Sequence, residues 1–236
     1  MTVAAIVPAA GRGERLGLGR PKALAAVGGL TLVARAVDGL VAGGVEAVVV
    51  AAPPGDEDAV RRALGPRLAV VVPGADDRVG TVSAALDALP ADTDVVLVHD
   101  AARCLCPPEV VRAVIDAVRA GSPAVVPVTA VADTLRRTGP AGLVTATVDR
   151  TGLAAVQTPQ GFDPATLRSA HAHAGARRTA GASVVATDDA GLAEDLGVAV
   201  VTVPGDPRAF KVTTPLDLAM AEALTSTAST ASGGPA

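Results

Sequence analysis

Four cations crowd one short glycine-rich loop. Residues 8 to 22 read P-A-A-G-R-G-E-R-L-G-L-G-R-P-K, with Arg12, Arg15, Arg20 and Lys22 spaced among Gly11, Gly13, Gly17 and Gly19. Like charges this close repel one another unless an anion sits among them. Glycines let backbone N–H groups approach such an anion closely, and a triphosphate is an anion of that kind. The loop is not the phosphate loop of ATPases, because Lys22 follows Pro21 and precedes Ala23. It also misses the dinucleotide fingerprint. Its third glycine, Gly17, comes one residue late, and the second apolar run ends in A-A-P-P-G, without an acidic residue.

Twenty residues are Lys or Arg, and only Lys22 and Lys211 are Lys. An exposed ion pair tolerates either base, whereas a site that needs a compact, flexible point charge does not. Both lysines are therefore site candidates before any motif is named. Asp100 follows the apolar run Val95 to Val98 in V-H-D-A-A-R. A carboxylate at the C-terminal edge of a parallel sheet is well placed to hold Mg²⁺ against phosphate oxygens, although a capping aspartate would look the same. His99 reads as a packing or hydrogen-bonding residue. Arg103 suits an acceptor phosphate and equally a surface charge. Cys104 and Cys106 are too close for an easy disulfide. Zinc would need further ligands, and His171 and His173 fall in an exposed-looking helix end, so free thiols are expected.

The elements that must position these residues alternate. Apolar strands are expected at 3–8, 45–52, 68–72, 95–98 and 124–128. Helices are expected at 31–42, 56–64, 82–89 and 107–119, with Thr31 as an N-cap and Gly43-Gly44 as a stop. Apolar strands alternating with helices argue for a parallel sheet covered on both faces. The loops 9–22, 73–81 and 99–106 then share one sheet edge. The pattern breaks between about 131 and 150, where a Gly-Pro-Ala-Gly turn separates two short alternating stretches and predicts a projecting β-hairpin. Helices near 163–174 and 189–196, a strand at 198–203 and a last helix at about 215–224 follow. The expected organisation is one domain over 1–224 and a disordered low-complexity tail over 225–236.

Composition excludes several functions. With 1% aromatic residues and no Trp or Tyr, the chain lacks stacking platforms for single-stranded nucleic acid. A net charge of −4 provides no global basic field for a polyanion, so an anion must be held locally. No apolar run approaches a membrane span, and the N-terminus lacks a signal-peptide pattern. With only two cysteines, a cytoplasmic location is expected.

P-A-A-G-x-G-x-R-x-G followed by P-K resembles the signature loop of the sugar-nucleotide pyrophosphorylases and cytidylyltransferases. Within these it is similar to the 2-C-methyl-D-erythritol 4-phosphate cytidylyltransferase family of the non-mevalonate isoprenoid pathway. Further matches run in order along the chain: G-A-D-D-R at 74–78, V-H-D-A-A-R at 98–103, D-T at 133–134, V-D-R at 148–150, Q-T-P-Q-x-F at 157–162, T-D-D at 187–189 and K-V-T-T-P-x-D-L at 211–218. The resemblance implies a Rossmann-like, doubly wound α/β fold of nucleotidyltransferase type, mostly parallel, with a projecting β-hairpin arm. It implies transfer of CMP from CTP to a polyol phosphate, with Mg²⁺ as cofactor. Arg15, Lys22, Arg150 and Lys211 are the implied catalytic residues. Pro8, Ala9, Ala10, Gly11, Gly13, Gly74, Thr81, Asp100 and Ala101 would surround the nucleotide together with Arg15 and Lys22. Arg103, Thr134, Arg150 and Lys211 would contact the acceptor, and the arm would complete the neighbouring site in a homodimer. Cys104, Gly80, Ala154 and Ala209 depart from the family pattern. A ribitol 5-phosphate cytidylyltransferase and a nucleotide-binding regulator without turnover are the competing readings.

Overall fold

The first strand, β1 (Thr2–Pro8), is apolar on both sides, and its residues divide between two cores. Val3, Ala5 and Val7 belong to one cluster and Ala4 and Ile6 to the other, so the strand has no solvent face. Successive side chains of a strand point to opposite faces, so only a sheet covered on both sides can bury such a run. Each fully buried Val or Ile stabilises the fold by about 1.5–3 kcal/mol. The computed structural model describes residues 1–11, 13, 16–17, 19–181 and 186–231.

In chain order the elements are β1, the short hairpin β2 (Ala26–Val27) and β3 (Leu30–Thr31), α1 (Leu32–Ala42), β4 (Ala47–Ala52), α2 (Glu57–Leu64), β5 (Ala69–Pro73), α3 (Arg78–Leu86), β6 (Thr93–Val98), α4 (Pro108–Arg119) and β7 (Ala124–Ala130). There follow β8 (Leu135–Thr138), β9 (Val144–Val148), β10 (Ala154–Val156), β11 (Gln160–Phe162), α5 (Pro164–Thr179), α6 (Asp189–Glu194), β12 (Val200–Pro204) and α7 (Pro215–Ala231). The main sheet has eight strands in the order β10-β7-β11-β6-β1-β4-β5, with β12 also paired to β7. β1 pairs in parallel with β4 and β6, β4 with β5, and β7 with β12. Helices α1, α2 and α4 supply one face, through residues such as Val37, Val60 and Val114. Helices α3, α5 and α6 supply the other, through Val82, Leu167 and Ala193.

The alternation of strands and helices is as the sequence predicts, and Thr31 caps α1 by accepting from the Ala34 N–H at 3.3 Å. Three details differ. Helix α3 begins at Arg78, four residues earlier than expected, because Asp77 caps it by accepting from the Gly80 N–H at 2.8 Å. β11 is antiparallel and lies between β6 and β7, so the predicted strands at 95–98 and 124–128 are not neighbours. A three-residue strand buried on both faces has no period to read. Helix α7 extends to Ala231, into the stretch expected to be disordered, while residues 232–236 lie outside the described residues.

β8 and β9 form the predicted hairpin as a separate antiparallel pair. Leu143 and Val144 at its turn end are 70% and 61% exposed, and among the described residues none of β8 or β9 enters a buried core cluster.

Candidate active site

The loops after β1, β5 and β6 meet at one edge of the sheet, as the crossover rule requires. They enclose a cleft of about 1180 Å³. Pro8, Ala9, Ala10, Gly11 and Gly13 line it from the first loop, Thr81 from α3, and Asp100 and Ala101 from the end of β6. Lys22 and Lys211 line the same cleft, although they stand at opposite ends of the sequence. Arg12 and Arg15 lie outside the described residues.

Backbone geometry explains the glycines. Gly13 has φ +69°, and a Cβ there would lie 2.8 Å from the Cβ of Lys22, so the loop folds over the lysine backbone only with glycine. The Lys22 N–H donates to the Gly11 carbonyl at 3.2 Å and closes the loop. Gly74 does not line the cleft but supports it. A Cβ at that position would meet the Ala52 carbonyl oxygen at 2.9 Å, with Ala10 and Thr81 just beyond. Thr81 in turn accepts from the Ala75 N–H and donates its hydroxyl into the 75–77 turn, which fixes the wall.

Asp100 is the electrostatic centre. Burial alone would raise its pKa, but Lys211 at 2.8 Å, with Arg78 and Arg103 at 3.8 Å, overcomes that and holds it at about 2. It is therefore ionised throughout the working range of an enzyme. Beside it, His99 is fully buried and its pKa is pushed down to about 4, chiefly by desolvation. The Asp100 N–H donates to the Thr158 hydroxyl oxygen at 3.0 Å, and that hydroxyl is 3.0 Å from Nδ1 of His99. A neutral imidazole accepting from Thr158 satisfies all three groups, so His99 orders the end of β6, as its sequence context suggests.

A second recess of about 250 Å³ adjoins the first, lined by Arg103, Thr158, Gln160 and Asp188 among others. Arg103 donates from Nη1 to the Ala209 carbonyl at 2.7 Å, so it is anchored and is not a free surface charge. Gln160 donates to Asp188 and accepts from the Ala190 N–H, which ties β11 to the start of α6. The T-P-Q segment thus shapes this recess and is more than a turn.

The remaining candidates lie outside the two recesses. Thr134 and Arg150 sit on the exposed hairpin and line neither recess; Arg150 donates to the carbonyls of Val131 and Ala132. His171 is buried, not exposed, with Nε2 at 2.9 Å from Asp189 and Nδ1 at 2.9 Å from Ser83. Cys104 and Cys106 are buried free thiols, as expected, with pKa values pushed up to about 11 and 12 by burial. Among the described residues no group of three or more His, Cys, Asp or Glu could hold a metal ion. Sequence reasoning missed Arg78 and Asp189 as site residues. Their signals were present in the G-A-D-D-R and T-D-D motifs, but neither motif by itself says that a helix start and a distant loop will meet.

A doubly wound sheet with a glycine-folded loop over a cleft at its C-terminal edge is the arrangement of the nucleotide-binding α/β proteins. Residues 3–227 match the family described as IspD, 2-C-methyl-D-erythritol 4-phosphate cytidylyltransferase, and the chain belongs to this family. A relative of that name from Frankia casuarinae is 53% identical over 223 residues, covering 94% of this chain and 80% of its own. One from Saccharopolyspora erythraea is 52% identical over 230 residues, covering 95% and 99%. The crystal structure of 2-C-methyl-D-erythritol 4-phosphate cytidylyltransferase from Thermus thermophilus aligns with a TM-score of 0.79 at 38% identity, covering 96% of this chain and 100% of that one.

Proposed function

We propose that this chain transfers CMP from CTP to 2-C-methyl-D-erythritol 4-phosphate, releasing pyrophosphate, as a cytoplasmic step of non-mevalonate isoprenoid precursor synthesis. The observation that carries this reading is the meeting of Lys22 and Lys211, the only two lysines of the chain, at one cleft. Membership of the family points to the same reaction.

The acceptor's phosphate monoester has its second pKa at about 6 and is largely dianionic at neutral pH, so no general base is needed. One of its oxygens attacks the α-phosphorus of CTP. The bond from that phosphorus to the oxygen bridging to the β-phosphate breaks in line, and pyrophosphate leaves with the electron pair. The barrier is charge crowding and alignment, which positioning and fixed cations lower. Lys22, with Arg15, stabilises charge developing at the α-phosphorus. Lys211 offsets repulsion between the two anionic substrates. Ala10 and Thr81, backed by Gly74, form a compact wall against which a pyrimidine nucleoside is held.

The donor set suits Mg²⁺. Asp100, held ionised, lines the cleft at the end of β6, with Asp56, Asp76 and Asp77 elsewhere on its wall, and Mg²⁺ is commonly held by one or two carboxylates with substrate oxygens. Asp100 would hold the ion, which would neutralise charge on the departing pyrophosphate.

Neither Thr134 nor Arg150 lines either of the two recesses described above, so in this reading they reach an acceptor across a subunit boundary. The reading therefore includes a homodimer in which the hairpin completes the neighbouring site. Among the described residues no helix is long and apolar enough to cross a membrane. Pyrophosphate release with CTP, Mg²⁺ and a panel of polyol phosphates tests the function. Turnover is expected with 2-C-methyl-D-erythritol 4-phosphate. Preference for ribitol 5-phosphate would reassign the acceptor, and silence with every acceptor would leave a nucleotide-binding regulator.

A further inference from the structure

Arg78 occupies an expensive position. It is the first residue of α3, at the positive end of that helix, where a cation is disfavoured. Its guanidinium is mostly buried, with Nη1 2.6 Å from Oδ2 of Asp189, a carboxylate with no solvent exposure. The other oxygen of Asp189 is 2.9 Å from Nε2 of His171, and Nδ1 of that ring is 2.9 Å from Oγ of Ser83. A chain of four side chains thus runs from the interior, between α3, α5 and α6, to the edge of the cleft. Burying an ion pair is costly, and an apolar pair of similar volume often stabilises a fold as well or better. Stability alone therefore gives no reason for this pair.

Its location gives one. Arg78, Asp100 and Lys211 are the residues that line both recesses, so Arg78 stands where the donor cleft opens into the smaller one. Nε of Arg78 is 3.8 Å from Oδ1 of Asp100, too far for a hydrogen bond. A guanidinium is a planar fork. Nη1 is held by Asp189, and the side chain lines both recesses, where such a fork suits phosphate oxygens.

We propose that Arg78 is a further phosphate-binding residue of the reaction, contacting phosphoryl oxygens at the junction of donor and acceptor, and that Asp189 and His171 are positioning residues acting through it. This rests on the transfer reading given above. Asp189 sets the direction of the guanidinium, and His171, held by Ser83, sets the direction of Asp189.

The test pairs turnover with folding. Arg78→Met combined with Asp189→Leu removes the ion pair and refills its volume but deprives Nε2 of His171 of its partner, so the melting temperature should fall moderately while the chain stays folded at the assay temperature. Pyrophosphate release should nevertheless fall by about 10²–10³ in kcat, as for loss of one transition-state charge. The CTP dissociation constant, measured by calorimetry, should rise by less than about ten-fold, because the lost interaction is made chiefly in the transition state. Arg78→Lys keeps the charge and a partner for Asp189 without the fork, so it should recover stability more fully than rate, whereas a purely structural role would recover both together. His171→Asn should lower kcat less than loss of Arg78, with CTP affinity unchanged. Wild-type kcat in the double variant, or in Arg78→Met alone should the double variant not fold, overturns the proposal. Wild-type kcat in Asp189→Asn overturns its positioning half. A wild-type chain that is silent with every acceptor refutes the transfer reading itself, and is seen before any variant is compared.

Discussion

The cleft and the hairpin are built on opposite principles. At the cleft, Arg78, Lys211 and the loop that carries both Asp100 and Arg103 come from three distant parts of the chain, and the three cations lie 2.8 to 3.8 Å from the Asp100 carboxylate. On the hairpin, Arg136 and Arg150 are exposed and bond within their own segment, Arg136 to Thr147 and Arg150 to the carbonyls of Val131 and Ala132. The cleft rests on a sheet with a core on each face. The hairpin rests on two strands, and an isolated two-stranded hairpin is marginally stable in water. The contrast teaches that the cleft is held by contacts between distant segments of one chain, while the hairpin is held by contacts within itself, which leaves its outer surface free to serve the second subunit proposed above.

The largest expected effect therefore lies in the cleft. Lys22→Ala should lower turnover by about 10²–10³, or 2.7–4 kcal/mol of transition-state stabilisation, with the melting temperature little changed. Arg150→Ala on the hairpin sharpens the comparison. If the hairpin acts in trans, mixing inactive Lys22→Ala and Arg150→Ala chains should restore part of the rate, because one mixed site carries both wild-type residues. No recovery on mixing would place the hairpin outside the reaction.

The second effect is on stability and has a defined sign. His99 has a folded-state pKa of about 4 against 6.5 when unperturbed. Below pH 6.5 the unfolded chain therefore binds a proton that the folded chain refuses. Stability contributed by the neutral ring is fully present above 6.5 and is lost progressively down to about 4, by on the order of 3 kcal/mol. Denaturant titrations across this window should show that slope, and His99→Gln should flatten it. An unchanged slope in the variant would mean that another group governs the acid limb. No hairpin residue carries a comparable buried titratable group, so the same window should leave hairpin substitutions indifferent.

The third effect probes the sheet behind the cleft. A Cβ on Gly161 of β11 would stand 2.4 Å from Cγ1 of Val114 and 3.0 Å from Cγ2 of Val118 on α4. Gly161→Ala should cost about 1–3 kcal/mol by overpacking, read from the urea midpoint. Gly161→Ala with Val114→Ala should recover much of it. If the single variant is neutral, β11 and α4 are less tightly packed than the contact distances require.

How much of this was legible beforehand divides along the same line. Strands such as Val95–Val98 and capped helices such as α1 were readable because their signals are local: an apolar run, a Thr at the N-cap, a Gly-Gly stop. Lys22 and Lys211 were marked by scarcity, which is also visible without a structure. β11 was not readable, since three buried residues between β6 and β7 have no period. Arg78 was not assigned a role because its meaning comes from Asp189, more than a hundred residues later, and no spacing rule links a helix start to a distant loop. His171 was misjudged for a related reason. Helix α5 has a weak apolar stripe, and the ring is buried by polar partners on α3 and α6, which a pattern of apolar residues does not record.

The smallest expected effect is on the hairpin, and it tests the premise of the comparison. Leu143 and Val144 face solvent and join no core, so each replacement by Ser should change folding stability by no more than about 0.5 kcal/mol. That holds for chains dilute enough to be monomeric. At concentrations where copies associate, any stabilisation of the folded state by the second chain becomes concentration-dependent. The wild-type melting temperature should then rise with protein concentration, and the Leu143→Ser, Val144→Ser chain should lose that rise while matching wild type at high dilution. A loss of stability at high dilution as large as that of Gly161→Ala would break the comparison, because it would give the hairpin a core of its own. A rise retained in the variant would move the subunit contact away from the hairpin tip and leave Arg150 without its route to a neighbouring site.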